Sequence, residues 1–298
     1  SMAAGGWCPA GGRWRRRRVE RGAEEGSAVL RRLREARDDL VSSGFWAASA
    51  GTVPELGGGT HRGCRSPPHG LTPLSVLAGA VQPPLAASTE PPARCVCYGL
   101  GRFSGCPSAR YQLAFLLLLL EELGVPPGRC WLFDPAFSEQ EVAVLEQLGL
   151  RLLPDNEEGK HDVEGSFTLF YMVHCGKALY NNLLWKNWAT GSLSKMVIVG
   201  NSFKGIEERL LSRILERDYS YIAKVLKGTE EVALPAHPRY LDTFNDTSVH
   251  WFPLQKLQGL SPEVWDCVEE PTYQECDDLE IIRKEEGGGR HSPTATQC

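Results

Sequence analysis

The chain has 298 residues, 42% of them hydrophobic and 23% charged, which is ordinary for a globular protein of one or two domains with a sizeable core. Its net charge of −5 is unevenly spread: residues 1–93 hold 12 Lys and Arg against 8 Asp and Glu, whereas residues 94–298 hold 20 against 29. An acidic body argues against a phosphate backbone as ligand, so nucleic acid is not expected on the folded part, and only the basic N-terminal segment has the charge to touch RNA or an acidic partner.

The longest apolar run, Leu113 to Leu120, is eight residues, too short to span a bilayer. No apolar segment of the secretory kind follows the opening arginines, so a cytoplasmic protein is expected, with the nucleus as a second location. The ten cysteines are then reduced thiols. Cys95, Cys97, Cys130 and Cys175 stand in strand-like runs, where cysteine behaves as a small buried hydrophobe. No CxxC pair is present and no metal site is expected.

In chain order, residues 3–26 are rich in Gly, Ala and Arg and read as disordered. Residues 27–45 carry Leu30, Leu33, Arg37 and Leu40 at helical spacing, which predicts one short helix, docked or transient, closed by Gly44. Residues 51–93 contain eight prolines and seven glycines and read as a linker. These features predict that residues 1–93 form a tail dispensable for folding, ahead of a domain at 94–283 and a disordered tail at 284–298.

The domain opens with a β-prone run, Arg94 to Tyr98, then Gly99 and Gly101, then a long helix from Pro107. A second strand ends at Asp134–Pro135, and Ser138 followed by Glu141 is a capping box that starts the next helix. A short strand at 150–153 ends near Asp155. Continuous apolar strands follow at 166–175 and 194–203, each leading into a helix, at 176–188 and 206–218. A last strand at 249–253 is expected at an edge of the sheet. Apolar strands alternating with helices predict a Rossmann-like three-layer α/β/α fold with a mostly parallel sheet.

In such a sheet ligands bind outside the carboxyl ends of the strands. The residues expected there are Gly99, Gly101, Ser104, Asp134, Asp155, His174, Asn201 and Ser202. A strand feeding a helix through GxGxxS suits a nucleotide-facing loop, although the same glycines also serve a sharp turn with no ligand. Asp134 stands where a carboxylate receives ribose hydroxyls, and it equally suits a cap on the turn before Pro135. If this crevice binds a small molecule, these residues predict an adenosine-type ligand, with S-adenosylmethionine the candidate. His174 and Asp246 are the catalytic candidates, the latter within a polar segment, 242–248, that suits either a lid or a plain turn.

VCYGLGRFSGCPSARYQLAFLLLL, the FDP at 133–135, FYMVHCGKALYNNLLWKNW, VIVGNSF and LDTFNDTSVHWFP together resemble the SRR domain family, named for sensitivity to red light reduced, over about residues 94–256. The resemblance implies a regulatory protein. Plant members act in circadian timing and red-light signalling, animal members are associated with haem biosynthesis and clock-gene expression, and catalysis is not established for the family. The haem association draws attention to Cys8–Pro9 and Cys106–Pro107 as thiolate ligand candidates, Cys106 above all because it lies in the glycine loop. The rival is a methyltransferase-like enzyme using S-adenosylmethionine, which needs Gly99, Gly101 and Asp134 to embrace one small molecule.

Overall fold

A seven-stranded sheet organises the computed structural model, which describes residues 11–50, 94–266 and 268–273, with backbone alone for residues 11–21 and 23. The linker expected at 51–93 and the tail expected at 284–298 lie outside the described residues. The strands are β1 (Arg94–Tyr98), β2 (Cys130–Phe133), β3 (Arg151–Leu152), β4 (Thr168–Met172), β5 (Met196–Asn201), β6 (Glu230–Ala233) and β7 (Thr247–Trp251). Their order across the sheet is β3-β2-β1-β4-β5-β7-β6. The first five pair in parallel, and β7 runs antiparallel between β5 and β6.

Side-chain alternation divides the inner strands between two cores. Cys95, Cys97, Leu169, Tyr171, Val197 and Val199 belong to one, and Val96, Tyr98, Phe170, Met172, Met196 and Ile198 to the other. All are buried, so the strands read as unbroken apolar runs because neither face meets water. The first face is covered by α1 (Gly11–Ser42), α2 (Phe45–Ala50), α3 (Pro107–Glu122) and α4 (Glu139–Gln147). The second is covered by α5 (Lys177–Lys186), α6 (Thr190–Leu193), α7 (Phe203–Arg209), α8 (Ser212–Asp218) and α9 (Ser220–Val225). Two further short helices are α10 (Leu241–Phe244), in the connection from β6 to β7, and α11 (Leu254–Gln258), after β7. The result is the expected three-layer α/β/α arrangement. Successive crossovers run outward from β1 in one direction and from β4 in the other, which puts the switch point of the sheet between β1 and β4.

The main correction concerns the N-terminal segment. In place of disorder followed by one short helix, α1 runs 32 residues from Gly11, and α2 follows it after Gly44 at φ +78°. Val29, Leu30, Leu33, Ala36 and Leu40 recur at helical spacing and are buried in the first core. Their partner is α3, where every residue from Leu113 to Leu120 is buried. A helix apolar on all sides needs cover on all sides: the sheet takes one flank and α1 another. Arg37 adds a two-pronged ion pair to Glu121, at 2.8 and 2.6 Å. Residues 29–50 are therefore packed into the core from which they were expected to be independent.

Three smaller differences have local causes. The helix expected at 206–218 is two helices, because Leu210 and Leu211 take extended backbone between α7 and α8. Glu230–Ala233 is a strand not foreseen, four residues long with two acids, too short to display alternation. It forms the edge of the sheet, so β7 is the penultimate strand rather than the edge strand expected.

Since Leu40 is 0% exposed while its neighbour Val41 is 50% exposed, the two report separately on docking and on helix propensity. Leu40→Ala is expected to cost about 2–5 kcal/mol in urea unfolding, as for other fully buried leucines. Val41→Ala should stay within about 0.5 kcal/mol of the parent.

Candidate functional site

Along the carboxyl edge of the sheet most of the expected residues form a connected row. Gly99 and Gly101 have φ of +68° and +78°, a region in which L side chains are strained, so the sharp turn after β1 needs both. A Cβ on Gly99 would meet Cys175 Sγ at 2.6 Å, so the close approach there is to the segment after β4. Cys175 in turn donates from its thiol to the Tyr98 carbonyl at 3.3 Å. A Cβ on Gly101 would have only Ala109 Cβ in reach, at 3.7 Å, which leaves that stretch of backbone open.

Two carboxylates fix the loop. Gly101 N–H donates to Asp134 Oδ2 at 2.7 Å, and Ser104 N–H donates to Glu141 Oε1 at 2.8 Å. Asp134 Oδ1 also receives the Ala136 N–H at 2.8 Å, so this side chain both caps its own turn and touches the glycine loop. Glu141 completes its capping box with Ser138 as the sequence predicts. It is fully buried, and burial pushes its carboxyl up, but the N–H groups of Ser138 and Ser104 outweigh this and hold it below its ordinary value.

On the far side of the switch point, His174 ends β4 with φ +57°. Its N–H donates to Asn201 Oδ1 at 2.9 Å, and Asn201 Nδ2 donates to the Cys175 carbonyl at 2.9 Å, clamping the ends of β4 and β5 together. His174 Nε2 donates to the Thr243 carbonyl at 2.8 Å, while Ser108 in the first turn of α3 donates to Thr243 Oγ1 at 3.1 Å. The connection from β6 to β7 thus lies across the switch point, bonded to the β1 side through Ser108 and to the β4 side through His174. The segment 242–248, suited on sequence to either a lid or a plain turn, is the end of this connection and the start of β7, with helix α10 inserted among Phe45, Phe115 and Tyr240 through Phe244.

Ser202 caps α7 by accepting the Gly205 N–H at 2.9 Å and donates to Glu231 Oε1 at 2.5 Å. Asp246, at φ +56°, accepts from Arg209 at 2.6 Å, and its carbonyl accepts the Ser202 N–H at 2.9 Å. A cavity of about 420 Å³ opens beside this group, between α7 and the β6–β7 connection. Asp155 is exposed beyond the end of β3. The His174 ring is engaged by the Thr243 carbonyl and the Asp246 carboxylate by Arg209, and no bond between the two side chains is among those described.

Cys106 is the N-cap of α3 and is half-buried against the first core. It does not line the cavity, and the only other Cys–Pro candidate, Cys8, lies outside the described residues. Among the described residues no group of three or more His, Cys, Asp and Glu side chains is placed to hold a metal ion.

Several residues central to this edge carried no signal in the sequence. Asp39, Glu231, Thr243 and Arg209 act across long separations. Glu141 was readable as a cap but not as the acceptor for Ser104. On the second face, Tyr98 donates to Glu157 at 2.5 Å and His161 Nδ1 lies 2.7 Å from the same carboxylate, a half-buried group that ties the irregular β3–β4 crossover to β1.

Burial pushes the Glu231 carboxyl up, but the His250 ring at 3.4 Å, the Ser202 hydroxyl and the Lys204 N–H pull it down further, to about 2 from an ordinary 4.5. The folded value lies below the unfolded one, so this stabilisation is complete above pH 4.5 and is lost as the pH falls toward 2. Acid titration of thermal stability should show a shallower decline for Glu231→Gln than for the parent across that window, with Glu231→Gln the less stable protein at neutral pH.

The SRR1 domain matches this chain over residues 72–251, more than half its length. The chain is 52% identical over 211 residues to the SRR1-like protein of Mus musculus, covering 67% of this chain and 82% of that protein. It is 30% identical over 190 residues to the SRR1-like protein of Drosophila melanogaster, covering 64% and 66%. With the Protein SENSITIVITY TO RED LIGHT REDUCED 1 of Arabidopsis thaliana it shares 33% identity over 171 residues, covering 56% and 62%. The matched region holds the whole row of carboxyl-edge residues from Gly99 to Asp246, and the chain belongs to the SRR1 domain family.

Proposed function

We propose that this chain is a regulatory protein whose processes are haem biosynthesis and clock-gene expression, the roles that family resemblance implies. The observation that carries the regulatory reading is the similarity, within one domain family, to a plant protein whose name records reduced sensitivity to red light. The geometry is compatible with it: side-chain bonds tie the strand ends of the carboxyl edge to one another, and His174 and Asp246 are each engaged with a different partner. The test is removal of the protein from cultured cells carrying a clock-gene reporter, with haem content measured in parallel. Altered rhythm and altered haem, both restored by the wild-type chain, are expected; unchanged values for both would overturn the reading.

A second reading, small-molecule binding of the methyltransferase type, is favoured by one observation. The order 3-2-1-4-5-7-6 with a reversed seventh strand is that of S-adenosylmethionine-dependent methyltransferases, an argument from fold analogy. There the bound cofactor supplies an electrophilic methyl group. In this chain Asp134 stands at the end of β2 against the glycine loop, and each of its oxygens keeps a further lone pair for a ribose hydroxyl. Gly101 and Ser104 already direct their N–H groups at carboxylates, so a phosphate placed on them would face two negative charges. The ligand class is accordingly an adenosine compound without phosphate.

S-adenosylhomocysteine should therefore raise the melting temperature while NAD and ATP do not. At 100 times the dissociation constant the stabilisation is about 2.7 kcal/mol. Asp134→Ala should abolish the shift, and an equal shift in that variant, or a larger one with NAD or ATP, would contradict the site.

A further inference from the structure

The cavity between α7 and the β6–β7 connection lies at the opposite end of the carboxyl edge from Asp134 and has no part in either reading above. Its charged groups are two cations, Lys204 and Arg209, and three carboxylates, Glu208, Glu231 and Asp246. Most of this charge is already engaged. Arg209 is paired with Asp246 at 2.6 Å. Glu231 receives Ser202 and the Lys204 N–H and is held as a carboxylate throughout the physiological range.

Two charges remain. Lys204 and Glu208 stand one turn apart on α7, at a spacing that brings Cβ atoms to about 5–6 Å. They do not pair with each other, and neither has an ion-pair partner among the described residues. Ser248, 1% exposed, also lines the cavity. Leu234, Pro235 and Phe244 form the apolar part of the remaining wall, which also carries His237, Tyr240 and Asn245.

We propose that this cavity is a binding site for a small zwitterion of the amino-acid type, its carboxylate on Lys204, its ammonium on Glu208 and an apolar or aromatic side chain against Leu234, Pro235 and Phe244. The charge pattern selects this class. A phosphate would gain Lys204 but would meet Glu208, with Glu231 and Asp246 behind it. A simple amine would gain Glu208 and leave Lys204 unanswered. A ligand with both charges on one carbon satisfies both side chains, and the volume of about 420 Å³ accommodates it with its side chain.

Isothermal titration of the full chain tests this with four probes: L-phenylalanine, N-acetyl-L-phenylalanine, L-phenylalanine amide and orthophosphate. L-phenylalanine should bind, and blocking either of its charges should weaken binding roughly tenfold or more, the worth of one charged hydrogen bond. Glu208→Gln should lose the preference for a free ammonium while keeping that for a free carboxylate, and Lys204→Gln should do the converse. Both residues are exposed, so thermal midpoints of the variants should match the parent. Absence of L-phenylalanine binding, tighter binding of phosphate or of a blocked probe, or unchanged probe preferences in both variants would each overturn the proposal. None of these results depends on whether S-adenosylhomocysteine binds.

Discussion

The carboxylate of Asp39 holds together the three elements that shape the carboxyl edge. It accepts the Tyr111 hydroxyl from α3 at 2.6 Å, the Arg239 guanidinium from the β6–β7 connection at 2.7 Å, and lies 3.4 Å from the Tyr240 hydroxyl. The Tyr111 hydroxyl, with the Arg239 charge beside it, outweighs burial and keeps this carboxyl below its ordinary value. Residues Tyr240 to Phe244 sit over the switch point because one end of that connection is bonded to α1 and the other reaches Ser108 and His174 through Thr243. The cavity beside α7 has the connection as one wall, so its shape follows from the same anchor.

That anchor works only because α1 is docked. The sheet is apolar on both faces, and α3 is apolar all round, so the first face needs a second layer of cover outside α3. α1 supplies it with Leu33, Ala36 and Leu40, and Asp39 is carried into place one residue before Leu40. Burial of apolar surface fixes the position of the helix, and the polar contacts at its end then select which neighbouring segment is held.

Much of this was legible in the sequence where the cause is local. Gly99 and Gly101 marked a turn, Pro107 the first residue of α3, and Ser138 with Glu141 the start of α4, since caps and positive φ act within a few residues. The unbroken apolar runs of β1, β4 and β5 gave the parallel, doubly covered sheet. The start of α1 was not legible, because Gly and Arg composition around residues 11–26 resembles that of disordered chain. Nor was its docking, although eight buried residues in a row on α3 were the trace it left. Asp39 reaches across 72 residues to Tyr111 and 200 to Arg239, and no spacing rule connects positions so far apart. For the candidate site the placement of Asp134, His174, Asn201 and Ser202 at strand ends was legible. That the loop N–H groups would be directed at Asp134 and Glu141 was not, and on this feature the proposal of a ligand without phosphate rests.

The central claim is that α1, through Asp39, holds the β6–β7 connection across the switch point of the sheet. Hydrogen–deuterium exchange of the full chain, parent against Asp39→Ala, measures this most directly. The account predicts a joint loss of protection in the backbone of Tyr240–Phe244, in the first two turns of α3 around Ser108–Tyr111 and in the C-terminal part of α1, with β1, β4 and β5 unchanged. Loss of protection confined to α1, with the connection and α3 as protected as in the parent, would contradict it.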